Sequence, residues 1–504
     1  MVATWKQVIT TAPPEKKDPS EEIEKGNAFS NQILILFSEP LLPETATESL
    51  AVQREIEAIV EALEKVSYPI SVEIVVKVAT AENIQNIFHQ RVRPLIIHFI
   101  GHGLIKEGNT ALVLENEVGR ARHFDERELA IALAYGNGKP CQLAVINSCH
   151  SGKLAEAIAK AEVPHVIAVN AQETILNEAA RCFAKSLYKN LFEQNSVQNS
   201  FSIGRNAIIL DRELQEKFNL KTHQKGVNID EAYKFQLLPE NQHHSAELDF
   251  ESAWTQEINY PNLFDTNLPP QDPKFIGRKQ DIHSVVDVFT RSDNRCVVLH
   301  GMGGIGKTSL AKAIGRWFQQ RDRFKDGVWL INAEDIDSIR NLIIKIQQEL
   351  KLKNLFLVKE LRRKKILLIL DDLDLLINND NELKELIGLI NYLIENCRYL
   401  KILITTRKTL VSNIELCYQQ EVHSMVNWTE TLFSKYTPLN LNNQWKKEPN
   451  YSENKQRLRL FFDGYPLAIK LAAAYVKDKG NISLAKLCED LDIKPLKVLE
   501  IESP

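Results

Sequence analysis

Two groups of residues in this chain have the types and the spacing to do chemistry. The first is Gly301, Met302, Gly303, Gly304, Ile305, Gly306, Lys307 and Thr308, which fits G-x-x-x-x-G-K-[ST]. A glycine loop of this kind turns backbone N–H groups inward onto phosphate oxygens. Lys307 then reaches the β- and γ-phosphates and the Thr308 hydroxyl ligates Mg²⁺. The frame is complete: 296–300 is a short apolar β-type run, and from Ser309 onward Leu310, Ile314, Trp317 and Phe318 share one helical face. The helix start adds its positive dipole end. The second group is His102, between Gly101 and Gly103, and Cys149, within Asn147, Ser148, Cys149, His150, Ser151 and Gly152. A thiolate is a nucleophile, and an imidazole within reach takes its proton. Taken singly, such a Cys is a small buried hydrophobe and such a His a satisfied polar residue. Their glycine-flanked frames at two strand ends argue for more. The glycines leave room for a substrate backbone, with the N–H groups of Gly103 and Cys149 as oxyanion donors.

The elements that must position these groups are legible in outline. Residues 10–28 are rich in Pro, Glu and Lys, so 1–29 is expected to be a mobile arm. Apolar runs at 33–37, 72–78, 95–100, 143–147 and 165–169 alternate with helical periodicity at 55–66, 81–91, 125–134 and 152–161. That order implies a mostly parallel sheet covered on both faces, spanning 30–217. In such sheets ligands sit at the carboxyl ends of the strands, where His102 and Cys149 fall. The helix starting after Cys149 is expected to lower its pKa further. Residues 218–272 lack sustained periodicity and read as an irregular connector, packed in part. The paired His243 and His244 have no further ligand at metal spacing and read as a solvated loop. His123 and His165 read as structural, and His150 as part of a turn.

From 273 to 425 the motifs come in an informative order. After the glycine loop, 327–332 reads as a strand and 339–350 as a helix. The apolar run from Lys365 ends in Asp371, Asp372 and Asp374, which presents Asp371 to Mg²⁺ and lets Asp372 orient a water. The run 401–406 ends at Arg407, a cation placed to touch a γ-phosphate. Residues 426–504 turn helical and read as a small bundle capping the nucleotide, with Trp428, Phe461 and Phe462 as core.

Bulk properties narrow the classes. The chain has 504 residues, enough for several domains, with 44% hydrophobic and 25% charged residues and a net charge of −4. That balance gives no nucleic-acid or anionic-membrane footprint. Seven cysteines are scattered without a C-x-x-C pair, which suits a reducing, cytoplasmic setting. No apolar run approaches a membrane span.

The segments 95–103 and 143–152 resemble the caspase-like cysteine peptidases, and within them the CHAT domains. The His stands roughly 50 residues before the Cys, as in caspase-type arrangements. Supporting likeness extends through 163–170, 179–191 and 201–210. The resemblance implies a His102–Cys149 dyad that cleaves peptide bonds of a protein substrate without a required third member, with Gly103, Asn147 and Ser148 lining the oxyanion and substrate site. Metacaspase relatives place an acid two positions before the nucleophile to bind a basic side chain. Asn147 stands there instead and lacks the charge to select Arg or Lys strongly.

The later motifs resemble the NB-ARC type of STAND ATPase over 273–480. Phe275, Ile276, Gly277 and Arg278 resemble the segment whose backbone holds adenine. Thr405, Thr406 and Arg407 resemble the sensor motif. Gly464, Tyr465, Pro466, Leu467 and Ala468 resemble a G-L-P-L motif whose Pro466 lies over the base. Implied cofactors are ATP or ADP (or dATP) with Mg²⁺. Such proteins usually continue into a winged helix, repeats that sense a ligand, and an M-H-D-like motif; none of these is read here, so sensing is expected from a partner or from a longer parent. The combined expectation is a multidomain α/β chain: a caspase-like α/β sandwich, a P-loop α/β domain and a small helical bundle. Its expected activity is a nucleotide-switched cysteine peptidase that self-associates, in bacterial defence or cell death. A non-proteolytic, nucleotide-gated scaffold is the alternative. A transcription regulator ranks last, because no helix-turn-helix or basic patch is seen.

Overall fold

A computed structural model describes residues 29–42, 52–67, 70–89, 93–106, 109–134, 140–214, 231–248, 250, 257–259, 266–352, 356–410 and 414–493. The expected N-terminal arm lies outside these residues, apart from Phe29. The chain forms two compact units, one of 1–39, 47–116 and 122–261, the other of 40–46, 117–121 and 262–504.

The first unit is built from β1 (Phe29–Phe37), β2 (Ser71–Val78), β3 (Arg93–Ile100), β4 (Gly103–Lys106), β5 (Asn109–Glu115), β6 (Ala121–Asp125), β7 (Leu143–Asn147), β8 (His165–Val169), β9 (Phe235–Leu238) and β10 (Glu257–Asn259). Seven of them form one sheet in the order β10-β2-β1-β3-β7-β8-β9, and β4-β5-β6 form a separate three-stranded sheet. In the large sheet only β9, paired with β8, runs antiparallel. The continuous apolar runs follow from burial on both faces. In β1, Ile33, Ile35 and Phe37 join one apolar cluster, while Leu34 and Leu36 join the other. Helices Val52–Glu64, Asn177–Phe192 and Val197–Leu210 supply the first face through Ile56, Ile59, Phe183, Leu187 and Phe201. Helices Ala81–His89, Glu126–Ala134 and Gly152–Lys160 supply the second through Ile84, Leu129 and Leu154. Each such Leu or Ile, fully buried, contributes roughly 1.5–3 kcal/mol. The result is the expected α/β sandwich.

The stretch 218–272 is not a connector throughout, which corrects the sequence reading. It adds β9 and β10 to the sheet and a 3₁₀ turn, Glu231–Lys234. Strands of three and four residues are too short to carry a period. His244 is not solvated either: it is 4% exposed, and its Nδ1 lies 2.7 Å from Nδ1 of His165. One ring donates and the other accepts. Burial, and then His244, push the His165 pKa down to about 4; burial also lowers that of His244. An unfolded chain takes up a proton near pH 6.5, whereas the native one resists until about 4. The stability this neutral pair contributes is therefore present above pH 6.5 and lost as pH falls toward 4. Denaturant titration of the full chain should show a drop on the order of 2 kcal/mol between pH 7 and pH 5 from this pair. His165→Gln should flatten that slope.

The second unit holds β11 (Cys296–His300), β12 (Val328–Asn332), β13 (Leu367–Asp371), β14 (Lys401–Thr406) and β15 (Cys417–Glu421). They form a parallel sheet in the order β12-β13-β14-β11-β15. Alternate residues again face two clusters: Cys296 and Val298 one, Val297 and Leu299 the other. Thr266 and Asn267 bond to β12 through Val328 O (2.6 Å) and Leu330 O (2.7 Å), so this unit begins before 273. It also takes in Leu41 and Val118, buried with Trp317 and Phe318. Helices Thr429–Tyr436, Leu439–Trp445, Tyr451–Phe462, Pro466–Asp478 and Leu484–Ile493 form the expected bundle. Phe462 is core at 2% exposure, while Phe461 is 38% exposed. Trp428 packs on Gly277.

Among the described residues no helix is long and apolar enough to cross a membrane.

Candidate active site and nucleotide site

Strands β3 and β7 are direct neighbours, with Ile100 opposite Asn147. His102 and Cys149 therefore leave the same sheet edge side by side. The two turns meet closely. A Cβ on Gly103 would lie 1.8 Å from the Cys149 carbonyl oxygen and 2.6 Å from Ser148 Oγ. Only glycine allows that approach. The His102 carbonyl accepts from Val113 N (2.9 Å), which seats the loop on β5. Both His102 and Cys149 are half-buried.

The nucleophile turn is braced from below. Ser151, fully buried, donates to Ser148 O (2.8 Å) and accepts from Val169 N (3.0 Å). His150 takes a left-handed φ of 56° and its Nδ1 lies 3.1 Å from Ala171 O, which makes it part of the turn. Ser148 is 1% exposed.

Asn147 is 6% exposed. Its Nδ2 donates to Glu55 Oε1 (2.5 Å), and its Oδ1 has no hydrogen-bond partner among the described residues. Glu55 Oε1 also lies 3.0 Å from His98 Nε2, and His98 Nδ1 lies 2.9 Å from the Tyr188 hydroxyl. A buried chain of four polar side chains thus ends two residues before Cys149. Glu55 and His98 escaped the sequence reading because each lies singly in an otherwise ordinary helix or strand.

The thiol itself differs from expectation. Burial pushes the Cys149 pKa up; Ile175 N–H and Lys234 pull it down, and Glu231 raises it. Ile175 N donates to Cys149 Sγ at 3.4 Å. A buried ion pair holds that segment: Lys234 Nζ meets Glu231 Oε1 (2.5 Å) and Thr174 O (2.6 Å), and Glu231 Oε2 accepts from Leu176 N (3.0 Å). Burial, the largest influence, disfavours the thiolate, so attack needs a base to take the thiol proton at the moment of reaction. Glu231 and Lys234 carried no sequence signal, because they stood in the presumed connector.

In the second unit the glycine loop joins β11 to helix Lys307–Gln320. Gly304 and Gly306 have φ of 77° and 99°, a region costly to residues with a Cβ. Lys307 Nζ donates to the carbonyls of Gly301 (2.9 Å) and Met302 (3.0 Å). Burial lowers its pKa, against the pull of Asp374 and Asp372. Thr308 Oγ1 donates to Asp371 Oδ1 (2.9 Å), and Thr405 Oγ1 donates to the same oxygen (2.6 Å). These hard oxygens fit Mg²⁺. Among the described residues there is no group of three or more His, Cys, Asp or Glu that could hold a metal.

Asp372 has a left-handed φ of 60°, its N–H donates to Thr405 Oγ1 (2.8 Å), and burial followed by Asp374 raises its pKa. Asp374 anchors the sensor strand. It accepts from Thr406 Oγ1 (2.9 Å) and Arg407 N (2.7 Å), and pairs with Arg407 Nε (3.0 Å). A Cβ on Gly303 would lie 3.6 Å from the Arg407 guanidinium carbon, so the cation faces the phosphate loop. The D-D-L-D ending of β13 is the sequence signal for Asp374, but the roles it suggests, a metal ligand and a water-orienting carboxylate, fall on Asp371 and Asp372 and leave Asp374 without one.

Arg278 ends the segment 275–278. Its side chain is 5% exposed and bonds to Ile305 O (2.9 Å), His423 O (2.8 Å) and Asp281 (3.0 Å). It holds the loop from behind. Ile276 packs against the bundle. Pro466 opens helix Pro466–Asp478. Beside it a Cβ on Gly304 would meet Leu467 at 2.7 Å and the Tyr465 hydroxyl at 3.2 Å. Gly464 has no room for a side chain: its Cβ would lie 2.2 Å from Met425 C.

A comparison with the curated proteins finds no match. Among solved structures, domain III of the replication initiation protein DnaA from Thermotoga maritima is 20% identical, with a TM-score of 0.29, covering 45% of this chain and 98% of that one. A STAND protein with a tetratricopeptide repeat sensor from Pyrococcus horikoshii is 17% identical, with a TM-score of 0.29, covering 40% of this chain and 30% of that one. The RuvB Holliday junction branch migration motor of Thermotoga maritima is 14% identical, with a TM-score of 0.30, covering 47% and 76%. Likenesses this low decide nothing about function. The family models are specific: a CHAT domain matches residues 7–246 and an NB-ARC domain matches 278–432. This chain thus joins a CHAT domain, with its caspase-like peptidase fold, to a nucleotide-binding NB-ARC domain of the STAND type of P-loop ATPases.

Proposed function

We propose that the chain is a cysteine endopeptidase whose activity is set by the nucleotide state of its NB-ARC domain. The observation that carries this reading is the close approach of Gly103 to Cys149 at adjoining strand ends. Cys149 Sγ attacks the scissile carbonyl carbon, and His102 accepts the thiol proton. The N–H groups of Gly103 and Cys149 receive the oxyanion. His102 then protonates the leaving amine, and water hydrolyses the thioester. In the second unit Lys307 and the loop amides hold the phosphates of ATP or ADP, with Mg²⁺ on Thr308 and Asp371. Mg²⁺ when bound neutralises phosphate charge. Arg407, held by Asp374, reads a third phosphate. ATP favours self-association of the full chain, which activates the peptidase in a defence or cell-death response. A sensing partner supplies the trigger.

A second reading is a nucleotide-gated scaffold without turnover. The raised Cys149 pKa favours it. Cleavage of a peptide library by the full chain, with ATP·Mg²⁺, with ADP·Mg²⁺ and without nucleotide, separates the two. Cleavage highest with ATP supports the switched peptidase. Equal cleavage in all three removes the switch, and none in any favours the scaffold.

A further inference from the structure

Cys296 and Cys417 have no part in the nucleotide or peptidase chemistry, yet the fold sets them together. They are direct partners in the parallel pair of β11 and β15. Leu416 O accepts from the N–H of both Arg295 (2.8 Å) and Cys296 (3.1 Å), which fixes the register at that point. Both side chains face the same apolar cluster, Cys296 within it and Cys417 packed against it. Each thiol acts on the other's ionisation: Cys417 raises the pKa of Cys296, and Cys296 lowers that of Cys417. Directly opposed residues on neighbouring strands stand about 4.7–4.9 Å apart, inside the Cα window of roughly 4.4–6.8 Å for a disulfide. Exposure differs between them: Cys296 is fully buried, while Cys417 is half-buried and open to a small oxidant. That is an attacking sulfur with a shielded sulfur behind it.

We propose that Cys296 and Cys417 form a reversible oxidation site, at which a peroxide-class oxidant joins them as an intrachain disulfide. The Cys417 thiolate attacks one peroxide oxygen, and the O–O bond breaks. Cys417 becomes a sulfenic acid, and the second oxygen leaves as water. Cys296 Sγ then attacks Cys417 Sγ and displaces the hydroxyl as a second water. Two thiols and one hydrogen peroxide thus give one disulfide and two waters, with both sulfurs oxidised and both peroxide oxygens reduced. Cys296 favours the Cys417 thiolate against the effect of burial. Cys296 itself is held well above the usual thiol value by Cys417 and by burial, so Cys417 is the thiol of the pair that meets the oxidant first.

The position gives the bond a consequence. β11 runs straight into the phosphate loop. The far end of β15 touches that loop, since a Cβ on Gly301 would lie 2.9 Å from Val422 O. The next carbonyl, His423 O, is held by Arg278. A disulfide at the base of the two strands ties the strand feeding the loop to the strand feeding the bundle.

The test treats the full chain with hydrogen peroxide, blocks free thiols, digests without reductant and maps the peptides by mass spectrometry. A Cys296–Cys417 crosslink, reversed by dithiothreitol, is expected. The thermal midpoint should rise by about 5 °C with the crosslink and return on reduction. Cys417→Ser should abolish both changes. Cys296→Ala, an apolar replacement suited to its buried site, should leave Cys417 to oxidise further without a crosslink. Recovery of wild-type Cys417 as a sulfinic acid, or paired with a thiol of another chain, overturns the proposal.

Discussion

Cys149→Ala should reduce peptide-bond cleavage by about 10³-fold or more while leaving nucleotide affinity unchanged. The sulfur is the only atom in the proposed mechanism that forms a bond to substrate. Without it the Gly103 and Cys149 N–H groups can still hold a developing oxyanion, so a residue of catalysis over water is expected, as in other triads and dyads stripped of their nucleophile. The fold should survive. Cys149 is half-buried, and its turn is braced by the Ser151 bonds to Ser148 and Val169, which the substitution leaves alone. His102→Ala should cost nearly as much, because the resting sulfur is a thiol whose pKa burial has raised. The double variant should be little worse than either single one, since residues acting as a unit are not additive. Cleavage rates of library-derived peptides measure all three.

Lys307→Ala should weaken binding of ATP·Mg²⁺ by about 10²-fold, read by isothermal titration calorimetry. The ammonium sits among loop carbonyls, with Asp371, Asp372 and Asp374 acting on it. It is placed to move from those carbonyls to phosphate oxygens. A charge-assisted bond of this kind contributes about 1.5–3 kcal/mol, which is one to two decades in affinity. Lys307→Arg should recover only part of the loss, because a planar fork cannot occupy a site shaped for a point charge. Unchanged affinity in Lys307→Ala would contradict the loop assignment. Cys149→Ala serves as the control, since it lies in the other unit.

Much of the architecture was legible because its signals are local. An apolar run such as 33–37 reads as a strand buried on both faces, and the two apolar clusters on either side of β1 show why. The glycine loop, Asp371 and Arg407 were readable because each ends a strand in a fixed order. Other parts depend on distant pairings that leave no local trace. The strands β9 and β10 are short, and their partners β8 and β2 lie far back in the chain. The Glu55–Asn147 bond spans the first helix and β7. It turned an expected substrate contact into a buried support. The Cys149 pKa was expected to fall because the helix start was visible in the sequence, whereas the burial that raises it comes from packing of distant segments that leaves no local trace. The buried side-chain bonds of Arg278 to Ile305 and His423 likewise join parts of the chain that no local pattern links.

The most direct test of the central claim is N-terminal profiling of a cell lysate incubated with the full chain and ATP·Mg²⁺. Wild-type protein should create a defined set of new protein N-termini, reduced by about tenfold when ADP replaces ATP. Cys149→Ala should create none of them. The same set of N-termini with Cys149→Ala as with the wild type would contradict the account.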